Sequence, residues 1–311
     1  MATATTKHLL ERIARSGSST GLNVVAFSGG VDSSVVAAAV ARVYPSTSLA
    51  CIGRSAALPE AQLQLARKVA STIGIPLHVA TTAEGEIPGY LENRGMSCYH
   101  CKSELYATLS AVVDAAHEHR AEWSDGRGVE ASLEGLEGSA VLFNGTNADD
   151  TTDLTRVGLV AAREWRVESP IDHLTKAEVR EVARAFDLPN ADVAASPCLR
   201  SRLAFGVEAT SDHLERVESA ELRVRDILRR AGVPLKPSDD LRVRALPRGR
   251  AAVEIGANAE PMQRGLAAAQ SAAWFAGEEG IRAQLAEVGF ASVELRGFAS
   301  GSVAATVPAA T

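Results

Sequence analysis

Phe27-Ser28-Gly29-Gly30-Val31-Asp32-Ser33-Ser34 follows the apolar run Val24-Val25-Ala26 and leads into the helix-like run Val35 to Val43. Read in order, a buried strand ends, two glycines turn the chain tightly, and a helix begins. Glycine tolerates the positive φ and the close approach that such a turn needs. The loop amides and the helix N-terminus then face one point, which attracts an anion, above all a phosphate. No Gly-Lys-Ser/Thr follows, so this is not a Walker A loop. The GxGxxG spacing of dinucleotide-binding folds is missing as well. The plainer alternative is an Asp or Ser helix cap behind a glycine turn.

Outward from this stretch, strands and helices alternate. Val24–Phe27, Ser48–Gly53, Leu77–Ala80 and Ala140–Asn144 read as strands. Ser33–Val43, Pro59–Ile73 and Ser103–His119 read as helices, the second closed by Gly74 with Pro76 beyond it. Lys7 to Arg15 is patterned as a short amphipathic helix. This βαβ order predicts an α/β fold with a doubly wound parallel sheet, whose ligands lie at the carboxyl ends of the strands. Thr175–Phe186 is a helix with a capping box formed by Thr175 and Glu178. From Phe205 the pattern changes to a long charged helix, His213 to Ala231, and to strands at Leu241–Ala245, Ala251–Ile255 and Ser292–Arg296. Ile281–Val288 reads as a helix before the last of them. The expected organisation is therefore a nucleotide-binding domain over residues 1–204 and a smaller C-terminal α+β domain over 205–311. Ala121–Ser139, acidic and rich in Gly and Ser, reads as a surface insertion, and the alanine-rich tail from Ser302 as loose chain.

The 311 residues suit about two domains. A hydrophobic fraction of 46% and a charged fraction of 23% are those of an ordinary soluble protein. No run approaches the ~20 apolar residues of a membrane span, and the N-terminus lacks the apolar core of a signal peptide. A cytoplasmic location is expected. The net charge of −6 argues against a large nucleic-acid footprint, which shows as a basic face.

Three further stretches carry possible chemistry. Asn144-Gly145-Thr146-Asn147-Ala148-Asp149-Asp150 follows the fourth strand, at the same sheet edge as Gly29 and Gly30. Asn144, Thr146, Asn147 and Asp149 offer short polar groups to a nucleotide or to magnesium, or else form a polar turn with helix caps. Ser97-Cys98-Tyr99-His100-Cys101-Lys102 contains a CxxC, and Ser196-Pro197-Cys198-Leu199-Arg200-Ser201-Arg202 adds a distant third cysteine. A structural zinc site needs about four protein ligands. The candidates for the fourth are His100, which sits inside the CxxC and is poorly placed to reach the same metal, and Cys51, which lies inside a buried strand where a thiol acts as a small apolar group. Three thiolates without a fourth suit an iron–sulfur cluster with one open iron; a redox CxxC beside an unrelated Cys198, or three inert thiols, are the alternatives. Arg200 and Arg202 beside Cys198 suit a thiolate or a bound phosphate, or are a solvated surface pair.

Ser28, Gly29, Gly30, Asp32 and Ser33 resemble the SGGxDS loop of the PP-loop ATP pyrophosphatases, which cleave ATP to AMP and pyrophosphate and adenylate a substrate. Together with RGMSCYHCK, NGTNADD, SPCLRSRLAFG, LRVRALPRGRAAVEI and GFASVELRGFASGS, the chain resembles the LarE family from about Thr5 to Ser302. The resemblance implies sulfur supply to a nickel-pincer nucleotide cofactor. The substrate implied is pyridinium-3,5-biscarboxylic acid mononucleotide, a carboxylate of which is adenylated and converted to a thiocarboxylate. Ser28, Gly29, Gly30, Asp32 and Ser33 are implied to hold ATP and Mg2+, with Asn144, Thr146 and Asp149 beside them. Family members of one kind sacrifice the sulfur of a single cysteine, here Cys198. Those of the other hold a 4Fe–4S cluster on three cysteines, here Cys98, Cys101 and Cys198, and transfer a cluster-bound sulfide. The three-cysteine pattern favours the second kind. The resemblance also implies a trimer-based homo-oligomer, with Arg200, Arg202, Arg242, Arg244 and Glu254 near the substrate. The rival readings are a PP-loop tRNA thiolase with a cluster, an ammonia-using amidotransferase or synthetase, and a non-enzymatic nucleotide-binding regulator. The acidic balance weighs against the first, and the second leaves the cysteines without a role.

Overall fold

A computed structural model describes residues 4–117, 138–152, 156–193, 196–235 and 239–299. The chain divides into two compact units, Met1–Glu84 with Cys98–Ser196, and Gly85–Ser97 with Pro197–Thr311. Of the expected insertion, only Gly138 and Ser139 fall among the described residues, and the tail from Ser302 lies outside them.

The first unit runs α1 (Ala4–Ser16), β1 (Asn23–Ala26), α2 (Val31–Val43), β2 (Ser48–Arg54), α3 (Glu60–Ile73) and β3 (Leu77–Thr81). The chain then visits the second unit through α4 (Pro88–Leu91). It returns for α5 (Ser97–His117), β4 (Val141–Phe143), α6 (Ala148–Thr151), α7 (Gly158–Glu164) and α8 (Lys176–Ala185). The four strands form one all-parallel sheet in the order β3-β2-β1-β4. Alternation along the strands fills both faces. Val25, Ala50, Ile52 and Phe143 join a core with Val35, Val36, Leu63 and Val179. Val24, Ala26, Leu49 and Cys51 join a second core with Tyr106, Leu109 and Ala161. A parallel sheet covered on both faces is the doubly wound architecture, so the fold class expected from the sequence is the one found.

Two boundaries move in a way that matters. Helix α2 starts at Val31 rather than Ser33, because Gly30 takes the extended cap conformation, φ −74° and ψ 158°. Asp32 and Ser33 thereby enter the first helical turn, where a negative side chain suits the helix dipole. Helix α5 starts at Ser97 rather than Ser103, so the CxxC lies inside the helix. The buried Ser97 hydroxyl fixes that start by donating to the Tyr90 carbonyl at 2.9 Å. The expected capping box of α8 is present, with Thr175 N–H donating to Glu178 at 2.8 Å.

The second unit holds α9 (Ser211–Arg230), β5 (Leu241–Leu246), β6 (Arg250–Ile255), three short helices α10 (Glu260–Gln263), α11 (Leu266–Ser271) and α12 (Ala273–Ala276), then α13 (Ile281–Glu287) and β7 (Ser292–Gly297). Its strands pair as β5-β6 antiparallel and β6-β7 parallel. Residues 85–97 belong to this unit through Asn93, which is buried in a left-handed conformation, φ 50°. Its amide donates to the carbonyls of Ala204 at 2.9 Å and Val207 at 3.0 Å, and its own carbonyl accepts from Gly206 N–H at 3.0 Å. The expected division at Phe205 treats the chain as two successive pieces, and these long-range bonds are what that reading omits. Among the described residues no helix is long and apolar enough to cross a membrane.

Candidate functional site

The loop after β1 is held by its carbonyls. Gln62 donates to the Ser28 carbonyl at 2.6 Å, and Asn190 donates to the Gly29 carbonyl at 2.8 Å. The Gly30 carbonyl accepts the hydroxyls of Ser33 at 3.1 Å and Ser34 at 2.8 Å. With the carbonyls turned into the protein, the N–H groups of Val31, Asp32 and Ser33 open α2, where no preceding helical turn takes them. That is the arrangement that binds an anion. Gly29 has φ +71°, and a Cβ there would lie 2.7 Å from Ala66 Cα on α3. Glycine is thus required both by conformation and by packing.

Asp32 is the charged centre of this edge. Its Oδ1 accepts from Asn147 Nδ2 at 3.1 Å, and its Oδ2 pairs with the Lys176 ammonium. Lys176 is the first residue of α8, and its N–H donates to Asp149 Oδ2 at 3.1 Å. The β4 loop closes directly on α2: a Cβ at Gly145 would lie 2.6 Å from Ser33 N. The carboxylates of Asp32 and Asp149 are hard oxygen donors of the type magnesium takes.

The residues of the sequence motifs therefore divide by role. Gly29 and Gly30 shape the turn that leaves the amides of Val31 to Ser33 open at the start of α2, with Asp32 beside them. The Ser28 hydroxyl accepts from Gly30 N–H at 3.3 Å, and the Ser33 hydroxyl accepts from Ser28 N–H at 3.2 Å. Both hydroxyls thus brace the loop. Asn144 braces the β4 loop, its Oδ1 accepting from Thr146 N–H at 3.0 Å and from the Ser169 hydroxyl at 2.9 Å. Asn147 is the member of NGTNADD that reaches Asp32. Three contributors escape a motif reading. Lys176 hides behind its capping box, and Gln62 and Asn190 look like ordinary polar residues of a helix and a turn.

The cysteines are divided between the units. Cys98 and Cys101 stand three residues apart in the first turn of α5, one exposed and the other half-buried, on neighbouring positions of one helix face. Cys198 is exposed in the second unit, just before the turn Leu199–Arg202. Cys51 is buried in β2, and burial pushes its thiol up to about 12. Among the described residues no three His, Cys, Asp or Glu side chains are gathered to hold a metal ion.

The arginines near Cys198 are not a solvated pair. Arg202 is 2% exposed and pairs with Glu221 at 3.0 Å. It also donates to the carbonyls of Pro197 and of Cys198, the latter at 3.1 Å, so it clamps the cysteine loop. Arg200 donates to Asn93 Oδ1 at 3.1 Å. Within the second sheet, Arg244 and Arg296 both donate to the fully buried Glu254, at 2.8 and 3.0 Å. Arg242 donates to the Leu241 carbonyl at 2.8 Å. Burial, with the Arg202 charge second, draws the Arg242 pKa below its usual value.

No family model matches the chain. Over 204 residues it is 34% identical to the uncharacterized protein slr1717 of Synechocystis sp., an alignment that spans 65% of this chain and 68% of that protein. At that identity and coverage, the chain belongs to the family of slr1717.

Proposed function

We propose that the protein is a cytoplasmic, ATP-dependent, adenylating sulfur transferase of the LarE type. Its substrate is pyridinium-3,5-biscarboxylic acid mononucleotide, and its product is the thiocarboxylate. The observation that carries this reading is the loop at the end of β1: its amides are left open at the start of α2, and Asp32 stands among them, held by Asn147 and Lys176.

In this reading the amides of Val31 to Ser33 bind the phosphates of ATP. A substrate carboxylate oxygen bonds to the α-phosphorus, and the bond from that phosphorus to the bridging oxygen of pyrophosphate breaks. Asp32, with Asp149 beside it, would hold Mg2+, which neutralises charge on the leaving pyrophosphate. The acyl-adenylate is a good electrophile where the carboxylate was a poor one. A sulfur nucleophile then adds to its carbonyl, and AMP departs with the former carboxylate oxygen. Three accessible thiols, with Cys51 withdrawn into the core, are a donor set that suits a cluster with an open iron. Cys98, Cys101 and Cys198 would hold such a 4Fe–4S cluster, which supplies a sulfide that is not part of the chain. Arg202 keeps the Cys198 loop in one conformation through its carbonyl bonds.

The test is pyrophosphate release from ATP in the presence of the pyridinium substrate, on protein prepared without oxygen. Asp32→Ala is expected to abolish release in a folded protein. Cys98→Ala, Cys101→Ala and Cys198→Ala are each expected to keep release, to lose transfer and to lose most of about four irons per chain. Normal release by Asp32→Ala overturns the ATP site. A loss of about 34 Da at Cys198 after one turnover, with Cys98 and Cys101 dispensable, replaces the cluster by a sacrificial cysteine. Tight binding and thiolation of tRNA at physiological salt would replace the substrate.

A further inference from the structure

Both carboxylate oxygens of Asp32 are engaged by protein donors, Oδ1 by the Asn147 amide and Oδ2 by the Lys176 ammonium. The two donors differ in kind. Asn147 is fixed: it caps α6 through a reciprocal box with Asp150, accepting from Asp150 N–H at 3.0 Å. Lys176 is fixed only at its backbone, through the Thr175 cap and the bond from its N–H to Asp149. Beyond that point a flexible four-carbon stem carries the charge. The side chains of Lys176 and Asp32 keep 32% and 23% of their exposure, so the ammonium has room to leave.

A divalent cation and an ammonium repel each other, and both need the same carboxylate. The ammonium on Oδ2 therefore opposes metal binding at Asp32. A triphosphate changes that balance, because it offers the ammonium several charged oxygens a short distance away, at the open amides of α2. We propose that Lys176 is a phosphate-binding residue that also guards Asp32. Without nucleotide it neutralises the carboxylate and keeps metal off. When the triphosphate arrives, it moves to a phosphate oxygen and releases Asp32 to the metal that accompanies the nucleotide. This rests on the ATP reading of the loop and deepens it, since it makes metal and nucleotide binding cooperative and names the residue responsible. The contacts Asp149–Lys176–Asp32–Asn147 join the start of α8 to the starts of α2 and α6.

The experiment measures Mn2+ binding by the full chain without nucleotide, by electron paramagnetic resonance, together with the KM for Mg-ATP in pyrophosphate release. Lys176→Met is expected to tighten Mn2+ binding at least threefold and to raise the KM at least tenfold. Lys176→Arg, which keeps the charge, is expected to leave Mn2+ binding as in the wild type. A residue with only a structural role would weaken both or neither. Mn2+ binding unchanged or weaker in a Lys176→Met protein that melts like the wild type overturns the guarding role. An unchanged KM overturns the phosphate contact. If the wild type neither binds nor cleaves ATP, the reading of the loop itself fails. If the wild type cleaves ATP and Lys176→Met matches it in both measurements, only the role of Lys176 fails.

Discussion

The sheets of the two units treat buried ionisable groups in opposite ways. The first admits one thiol, Cys51, to its sheet and keeps it neutral, with its pKa pushed up to about 12 by burial. Its charged groups Asp32, Asp149 and Lys176 gather at the carboxyl edge, where they keep contact with water. The second unit carries charge through its sheet: Glu254 is fully buried between Arg244 and Arg296, and Arg202 with Glu221 lies beneath the Cys198 loop. In the second unit the charged partners satisfy one another, and the result is structure. At the edge of the first unit, backbone donors are left open beside Asp32, whose counter-ion Lys176 is part-exposed, and this is the edge at which we propose a site. Density of charge does not separate the two cases; what the donors still have to give does.

The largest effect that would test this contrast is at Gly29. An alanine there meets the cost of φ +71° and a Cβ only 2.7 Å from Ala66 Cα. The loop must shift, and in the ATP reading its amides then move off the phosphate. A displacement of about 1 Å is worth on the order of 100-fold in rate. Gly29→Ala is therefore expected to slow pyrophosphate release at least ~100-fold, while the protein stays folded by circular dichroism. A variant that releases pyrophosphate at the wild-type rate would show that the loop does not set the chemistry.

The contrast was only half legible in the sequence. The first unit writes itself plainly: VVAFSGGVDSS places strand, turn and helix in order, and a parallel sheet covered on both faces gives unbroken apolar runs. The loop glycines and Asp32 follow from that alone. Lys176 does not, because the same Thr175-Lys176-Ala177-Glu178 stretch is a complete capping box, and a box is sufficient reason for those residues. Its contact with Asp32 spans 144 positions of sequence. Asn93 fails for the same reason: a left-handed asparagine looks like a turn residue until its partners, more than 100 positions on, are known. In the second unit the strands are legible to within a residue, while the place of Arg242, Arg244 and Glu254 near a substrate is implied by the resemblance alone. The network that binds Arg244 to Glu254 and Arg296 exists only once β6 lies between β5 and β7.

The next effect down tests the second unit's half of the contrast. Removing Glu254 leaves the buried Arg244 without its counter-charge, while the part-exposed Arg296 keeps Glu294 at 3.3 Å. Breaking a buried ion pair from one side costs about 3–5 kcal/mol. Glu254→Ala is expected to lower the unfolding free energy by about that much in urea titration, at wild-type m-value. If stability holds and sulfur transfer is lost instead, the cluster is a ligand site and the contrast with the first unit collapses.

The smallest effect lies in the first unit's answer to burial, at Cys51. An unfolded thiol titrates near ~8.5, and burial raises the folded value to about 12. The folded state therefore holds a proton that the unfolded state gives up. The stabilisation is fully present below ~8.5 and is lost as pH rises from there toward the folded value, at a slope of up to ~1.4 kcal/mol per pH unit. Urea midpoints of the wild type should thus fall more steeply between pH 8.5 and 10 than those of Cys51→Ala, which has no thiol to ionise and sets the background slope. Thiol reagents give a second view of the same burial. In native protein freed of iron, Cys98 and Cys198, both exposed, are expected to react, and Cys51 only after unfolding. Equal slopes for the two proteins, or a Cys51 that reacts as fast as Cys198, would mean that the sheet of the first unit opens to water. The neutral-core half of the contrast would then be wrong, even with the loop chemistry intact.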